Sequence, residues 1–325
     1  MTGKLAVVFG GSGFVGRNVV RELAKRGWRV RVAVRRPHLA QFLRPMGAVG
    51  QIQLKQANIR HQSSVTDAVT GADAVVNLVG ILHQEGSQRF DAVQSGGAAL
   101  VAEAAAAAGV RQFVHVSAIG ADEDSDSHYA RTKGEGERAV QKAFPEAVIM
   151  RPSIVFGVED AFFNKFAEIA ITTPLTPLPL IGGGKTKFQP VYVDDVADAV
   201  CEALDEGASA SGRIFEIGGP EIFTFRELME MMLKEIGRAR PLVPVPFPIA
   251  NLIGLGGEIA GLAPFIEPPL TRDQVKLLKS DNIVATDGSV GVLADLGVTP
   301  HTVGSILPTY MEPYRRYGQF AEKTA

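Results

Sequence analysis

Three glycines at fixed spacing, Gly10, Gly13 and Gly16, form the first chemically informative cluster of the chain. They follow the apolar run Leu5–Phe9 and precede a helical pattern at Val15, Val19, Val20, Leu23 and Ala24. Such a turn lets the backbone approach a pyrophosphate, and the unpaired N–H groups and positive dipole end of the next helix receive the phosphate charge. Ser12, Phe14 and Val15 lie in the same turn. The strand before it and the helix after it separate this spacing from a plain turn.

A second cluster concerns which dinucleotide. The run Arg29–Val34 ends in Arg35 and Arg36, where a site for NAD would carry an acid to hold the ribose hydroxyls. From Leu23 to Thr66 there is no Asp or Glu, against nine Lys or Arg. Arg35, with Arg36 behind it, is placed to grip a 2′-phosphate through charge-assisted, bidentate hydrogen bonds, which predicts NADPH. The plain alternative is a pair of solvated arginines.

The third cluster is Tyr129 and Lys133, four residues apart and so on one face of a helix, about one turn from each other. A phenol with a pKa near 10 needs a neighbouring cation to exchange a proton near neutrality, and Lys133 is placed to supply it. The same two residues would serve equally as anchors for a cofactor ribose.

Alternating elements must position these clusters. Strand-like runs fall at Leu5–Phe9, Arg29–Val34, Gln51–Gln56, Ala74–Leu78, Gln112–Val116 and Ala147–Met150, with helical patterns at Val15–Arg26, Val65–Thr70, Gln94–Ala108 and Tyr129–Phe144. This order predicts an α/β protein with a Rossmann-type, doubly wound parallel sheet. Ala104–Ala108 is read as helix former rather than low complexity, closed by Gly109. Beyond Arg151 the pattern loosens around Pro174, Pro177, Pro179 and Gly182–Gly184, although Val191–Val193 and Ile214–Ile217 still read as short strands. The expected division is a nucleotide-binding domain over 1–150 and a smaller, irregular C-terminal lobe over 151–325, interleaved with the first.

Composition narrows the function classes. A net charge of −2 with 21% charged residues gives no sign of nucleic-acid binding. One cysteine, Cys201, excludes an intramolecular disulfide framework. His38, His61, His83, His115 and His128 show no metal spacing, and the acidic run Asp122, Glu123, Asp124 and Asp126 reads as a solvated loop, so no metal is expected. The longest uncharged run, Pro241–Gly257, holds four prolines and three glycines and is a poor spanning helix. The first strand begins almost at Met1, which leaves no room for a presequence.

Together these motifs resemble the short-chain dehydrogenase/reductase superfamily in its extended and atypical branches. The resemblance includes Arg151–Gly157, Val191–Ala197 and Ile217–Pro220 and runs to about Arg238. It implies that Tyr129 transfers a proton while Lys133 lowers its pKa and holds the nicotinamide ribose, that Asn58 lies near the adenine, and that Val79 and Gly80 line adenine and ribose. It also places the activating Ser or Thr at Ala118, with Ser117 one residue early. Alternation along a strand turns Ser117 to the wrong side unless the chain bends there, and Ser117 could still serve if the strand ends at Val116. A complete catalytic set of Ser117, Tyr129 and Lys133 is therefore not expected, and Ser117, Tyr129 and Lys133 are read as cofactor contacts.

Further segments, Phe144–Ile149, Phe156–Asn164, Gln189–Val196 and Pro264–Asp273, are similar in order to the nucleotide-binding accessory subunits of respiratory complex I, of the alpha-subcomplex subunit 9 type. That resemblance implies a structural NADPH, partners among the other complex I subunits, and a peripheral place near the junction of the hydrophilic and membrane arms. With no presequence, the expected location is the cytoplasmic face of a bacterial inner membrane. The competing expectation is an NADP-dependent reductase or sugar-nucleotide epimerase-like enzyme. In the C-terminal half, Pro241–Ile249 is expected to be too broken for a regular element. Leu252, Ile253, Leu255, Ile259 and Leu262 form an apolar face, either buried in the lobe or docked on a membrane or partner. The tail Tyr310–Phe320, rich in Tyr and Arg, is expected to dock on a partner.

Overall fold

Seven parallel strands, each a short apolar run, build the sheet that carries the glycine turn: β1 (Leu5–Phe9), β2 (Arg29–Val34), β3 (Ile52–Gln56), β4 (Ala74–Asn77), β5 (Gln112–Val116), β6 (Val148–Pro152) and β7 (Ile214–Ile217). This is seen in a computed structural model that describes residues 3–82, 84, 86–173, 176–260 and 270–320. His83, Pro174, Leu262, the 264–269 part of the Pro264–Asp273 segment and residues 321–325 lie outside the described residues.

The strand order is β7-β6-β5-β4-β1-β2-β3. β1 and β4 are buried throughout, as parallel strands covered on both faces must be. Chain order reverses between β1, which continues to β2 and β3, and β4, which continues to β5 and β6. Such a switch point opens a crevice at the carboxyl ends of the strands, where ligands bind.

Helix α1 (Phe14–Lys25) packs against α5 (Val193–Glu206), while α2 (Gln62–Val69), α3 (Gly96–Ala107) and α4 (His128–Ala143) pack in series. The α3 pattern starts earlier than its sequence suggests, as one π-helical turn over Asp91–Ser95. There Gly97 meets Ile59 so closely that a Cβ would sit 2.5 Å from its Cδ1. Val193 opens α5 instead of ending a strand, because Asp194 and Asp195 fill its first turn and favour a helix N-terminus.

By contacts the chain forms two compact units. The first comprises Met1–Pro152, Val193–Ile217 and Val284–Pro300, and the second comprises Ser153–Tyr192, Gly218–Ile283 and His301–Ala325. The second unit has its own core of Phe156, Phe163, Phe188, Phe225, Met232 and Leu307. Pro241–Ile249 is not irregular there: Leu242–Val245 pairs in parallel with Leu178–Ile181, and Phe247 opens a helix. A two-stranded sheet is all edge, so Pro244 removes no bond from a central ladder. The tail divides. Tyr310 ends the helix Val303–Tyr310, is buried, and donates its hydroxyl to Asp160 at 2.7 Å, whereas Tyr317 and Phe320 are exposed.

Candidate dinucleotide site

The turn after β1 is shaped by its glycines. Gly10 has φ +79, a conformation L side chains avoid, and a Cβ there would sit 3.1 Å from the Leu78 carbonyl carbon. A Cβ at Gly16 would overlap the Gly10 carbonyl oxygen. The Gly13 amide donates to that oxygen at 3.0 Å, closing the turn. Gly13 caps α1 without any side-chain bond, and no acid stands in the first turn. The amides that open α1 are thus left to an external acceptor, and no negative side chain competes for the dipole. Arg17 reaches back to the carbonyls of Ser12 and Gly13, each at 3.3 Å, and braces the loop.

Arg35 and Arg36 follow β2 and are both exposed. Among the described residues neither forms an ion pair or side-chain hydrogen bond, whereas Arg21, Arg26 and Arg151 are each paired with a carboxylate. Asn58, after β3, shapes its own loop: its amide donates to Ser64 Oγ at 3.0 Å, and its Oδ1 accepts from the Arg60 amide at 3.2 Å. After β4, the Val79 amide donates to Asn77 Oδ1 at 3.2 Å. Gly10, Gly13, Gly16, Val79 and Gly80 therefore gather at the switch point between β1 and β4.

Lys133 links this edge to β5. Its ammonium donates to the Val116 carbonyl at 3.3 Å and would be 3.4 Å from a Cβ at Gly80. The side chain is buried, and desolvation lowers its pKa to about 8, against a raising influence from Glu137 one turn along. It still carries its charge at neutral pH. Tyr129 is half-buried against Phe90, with ring centroids 5.8 Å apart, and burial pushes its phenol up to about 12. That direction opposes proton exchange near neutrality.

Ser117 and Tyr129 share no hydrogen bond among the described residues. β5 ends at Val116, yet the Ser117 amide donates to the Met150 carbonyl and that of Ile119 to the Pro152 carbonyl, so the chain still runs beside β6 at Ser117. The Ser117 hydroxyl is buried and hydrogen-bonds to no described residue, Tyr129 included. Ala118 is half-buried at the next position.

Sequence reasoning passed over two polar residues beneath this edge. Asn77 and His115 are paired in register across β4 and β5, with Asn77 Nδ2 3.2 Å from His115 Nδ1, and both are buried. A lone His in an apolar strand gave no signal, but Asn at the carboxyl end of a buried strand was one. Burial, and then the Lys133 charge, push the His115 pKa down to about 3. The unfolded chain binds that proton near pH 6.5, so protonation favours unfolding. The contribution is complete above about pH 6.5 and is lost as pH falls towards 3, at up to about 1.4 kcal/mol per pH unit. Urea-unfolding stability across this range should be shallower by one proton in His115→Leu, and an unchanged slope would contradict the assignment.

Glycine turn, switch point and Tyr-x-x-x-Lys helix define a dinucleotide-binding protein of the short-chain dehydrogenase type, and the chain belongs to the NAD dependent epimerase/dehydratase family, whose model matches residues 6–218. Its sheet resembles that of dTDP-glucose 4,6-dehydratase from Streptomyces venezuelae, solved with NAD and TYD bound, at a TM-score of 0.71 and 20% identity over 95% of this chain and 96% of that one. The chain is 36% identical to the mitochondrial NADH dehydrogenase (ubiquinone) 1 alpha subcomplex subunit 9 of Arabidopsis thaliana, covering 98% of this chain and 80% of that protein. To the Mus musculus protein of the same name it is 35% identical, covering 92% and 78%. It is thus a member of the alpha subcomplex subunit 9 family.

Proposed function

We propose that this protein is a peripheral accessory subunit of a respiratory NADH:ubiquinone oxidoreductase that holds NADPH as a structural fixture rather than turning it over. The observation that carries the reading is the buried Ser117 hydroxyl, which hydrogen-bonds to no described residue, together with a Tyr129 phenol that burial pushes up to about 12. Kinship across nearly the whole length with proteins named as complex I subunits supports the assembly role.

The residues present fit the cofactor. Gly10, Gly13 and Gly16 let the turn close where a Cβ would strike neighbouring backbone, Ser12, Phe14 and Val15 complete it, and the uncapped start of α1 receives the pyrophosphate. Arg35 and Arg36 take the 2′-phosphate, Asn58, Val79 and Gly80 flank adenine and ribose, and Tyr129, Lys133 and Ser117 border the nicotinamide end. NADPH would bring a hydride donor to this edge, where the Ser117 hydroxyl makes no hydrogen bond to Tyr129. Partners are the other subunits near the arm junction, on the cytoplasmic face of a bacterial inner membrane.

Because only the folded chain binds it, NADPH at a hundred times its Kd should stabilise the protein by about 2.7 kcal/mol. The complex purified from membranes should contain this chain and release NADPH on denaturation. Complex with this subunit but no NADP(H), or a chain that migrates only as a free enzyme oxidising NADPH, would overturn the reading.

A further inference from the structure

The helix Phe247–Ala260 is packed the wrong way round for a water-facing surface. Its buried residues are Ala250, Gly254 and Gly257, one stripe of small side chains. Through them it approaches the start of the helix Arg272–Leu277 so closely that a Cβ at Gly254 would sit 2.8 Å from the Arg272 nitrogen. Its large side chains turn outward: Leu252 is 70% exposed, Ile259 61%, Ile249 51% and Ile253 47%. At 100° per residue, Pro248, Ile249, Leu252, Ile253, Leu255, Gly256, Ile259 and Ala260 cover one continuous arc without a charge. A surface helix in water shows the reverse distribution, and a contiguous patch of this kind marks an interaction site.

Two features select the occupant. The outward side chains are aliphatic or small, with no Trp, Tyr, Arg or Met, the residues that anchor protein interfaces. The border carries lysines, with Asp273 and Asp281 on the same segment. Exposed Lys276 and Lys279 follow on the neighbouring segment, with the Lys279 ammonium 6.0 Å from the Phe247 ring centroid. The one acid of the helix, Glu258, is neutralised by Arg272, at 2.8 Å from its guanidinium and 2.9 Å from its amide. Aliphatic side chains bordered by lysines that can extend to headgroups describe a helix lying in a bilayer interface. Fourteen residues span about 21 Å, short of a hydrocarbon core of about 30 Å, so the helix lies in the plane. No described helix is long and apolar enough to cross a membrane.

We propose that the outward face of Phe247–Ala260 seats on the surface of an anionic lipid bilayer, with Lys276 and Lys279 against the headgroup phosphates. This goes beyond the subunit reading and stands or falls separately, since the isolated full chain makes the contact without other subunits. The test is co-sedimentation of that chain with vesicles of phosphatidylcholine alone and of phosphatidylcholine with phosphatidylglycerol. Binding is expected to rise with phosphatidylglycerol and fall with salt. Leu252→Glu/Ile259→Glu, at exposed positions and with an unchanged circular dichroism spectrum, should bind at least about tenfold more weakly to both vesicle types. Lys276→Glu/Lys279→Glu should lose only the phosphatidylglycerol-dependent part. Wild-type chain that ignores both vesicles overturns the proposal, as does an apolar-face variant that binds like wild type. A soluble dimer dispersed by Leu252→Glu/Ile259→Glu, with no vesicle binding, would give the face to a second copy and overturn it equally.

Discussion

Replacing both Arg35 and Arg36 with alanine is expected to weaken NADPH binding about 100-fold or more while leaving NADH binding within about threefold. A hydrogen bond to a charged group contributes about 1.5–3 kcal/mol, and each 1.4 kcal/mol is a factor of ten, so two lost arginine contacts reach at least that range. Selectivity is built into the test, because NADH lacks the 2′-phosphate that the arginines would hold. Both side chains are exposed and bonded to no described group, so their removal disturbs no packing. Titration calorimetry with the two cofactors decides the matter. Equal weakening of NADPH and NADH would remove the phosphate-clamp assignment.

The largest stability effect is expected from Arg151→Met. The Arg151 guanidinium bonds Glu137 through two nitrogens, at 3.0 and 2.6 Å, and lies 3.7 Å from Glu216. The carboxylates are 5% and 9% exposed, so methionine would leave two buried charges without their cation. Breaking such a group costs about 3–5 kcal/mol, chiefly because the remaining charge is stranded. Arg151→Met/Glu137→Leu should recover part of that loss, because it removes one of the stranded charges. Denaturant unfolding of the wild type, the single and the double variant measures both effects. A single variant within about 0.5 kcal/mol of wild type would show that the carboxylates reach water or take up protons cheaply.

Much of the nucleotide-binding unit was legible in the sequence because parallel strands buried on both faces read as unbroken apolar runs. Leu5–Phe9, Arg29–Val34 and Gln112–Val116 fall where they were expected. Other boundaries moved for local reasons: first-turn acids drew Val193 into a helix, and close contact at Gly97 accompanies a π turn before α3. The second unit was poorly legible. Its proline-rich run lacks periodicity, yet pairing with Leu178–Ile181 makes a strand of Leu242–Val245. The tail's composition suggested a free docking segment, but Tyr310 finds Asp160, 150 residues earlier, and is buried.

By itself the sequence determined the chemical vocabulary of the site: glycines where a backbone must come close, arginines without neighbouring acids after the second strand, and a Tyr and a Lys on one helix face. Those properties belong to residue type and short spacing, which local geometry converts directly into a turn, a strand end and a helix face. Tertiary structure alone decided what the vocabulary can do. Whether Ser117 bonds Tyr129 depends on how the chain leaves β5 beside β6, and no such bond forms among the described residues. Whether Lys133 stays charged, His115 stays neutral and Arg151 stays paired depends on burial among strands and helices distant in sequence. Desolvation and partner geometry set those states, and neither can be counted along the chain.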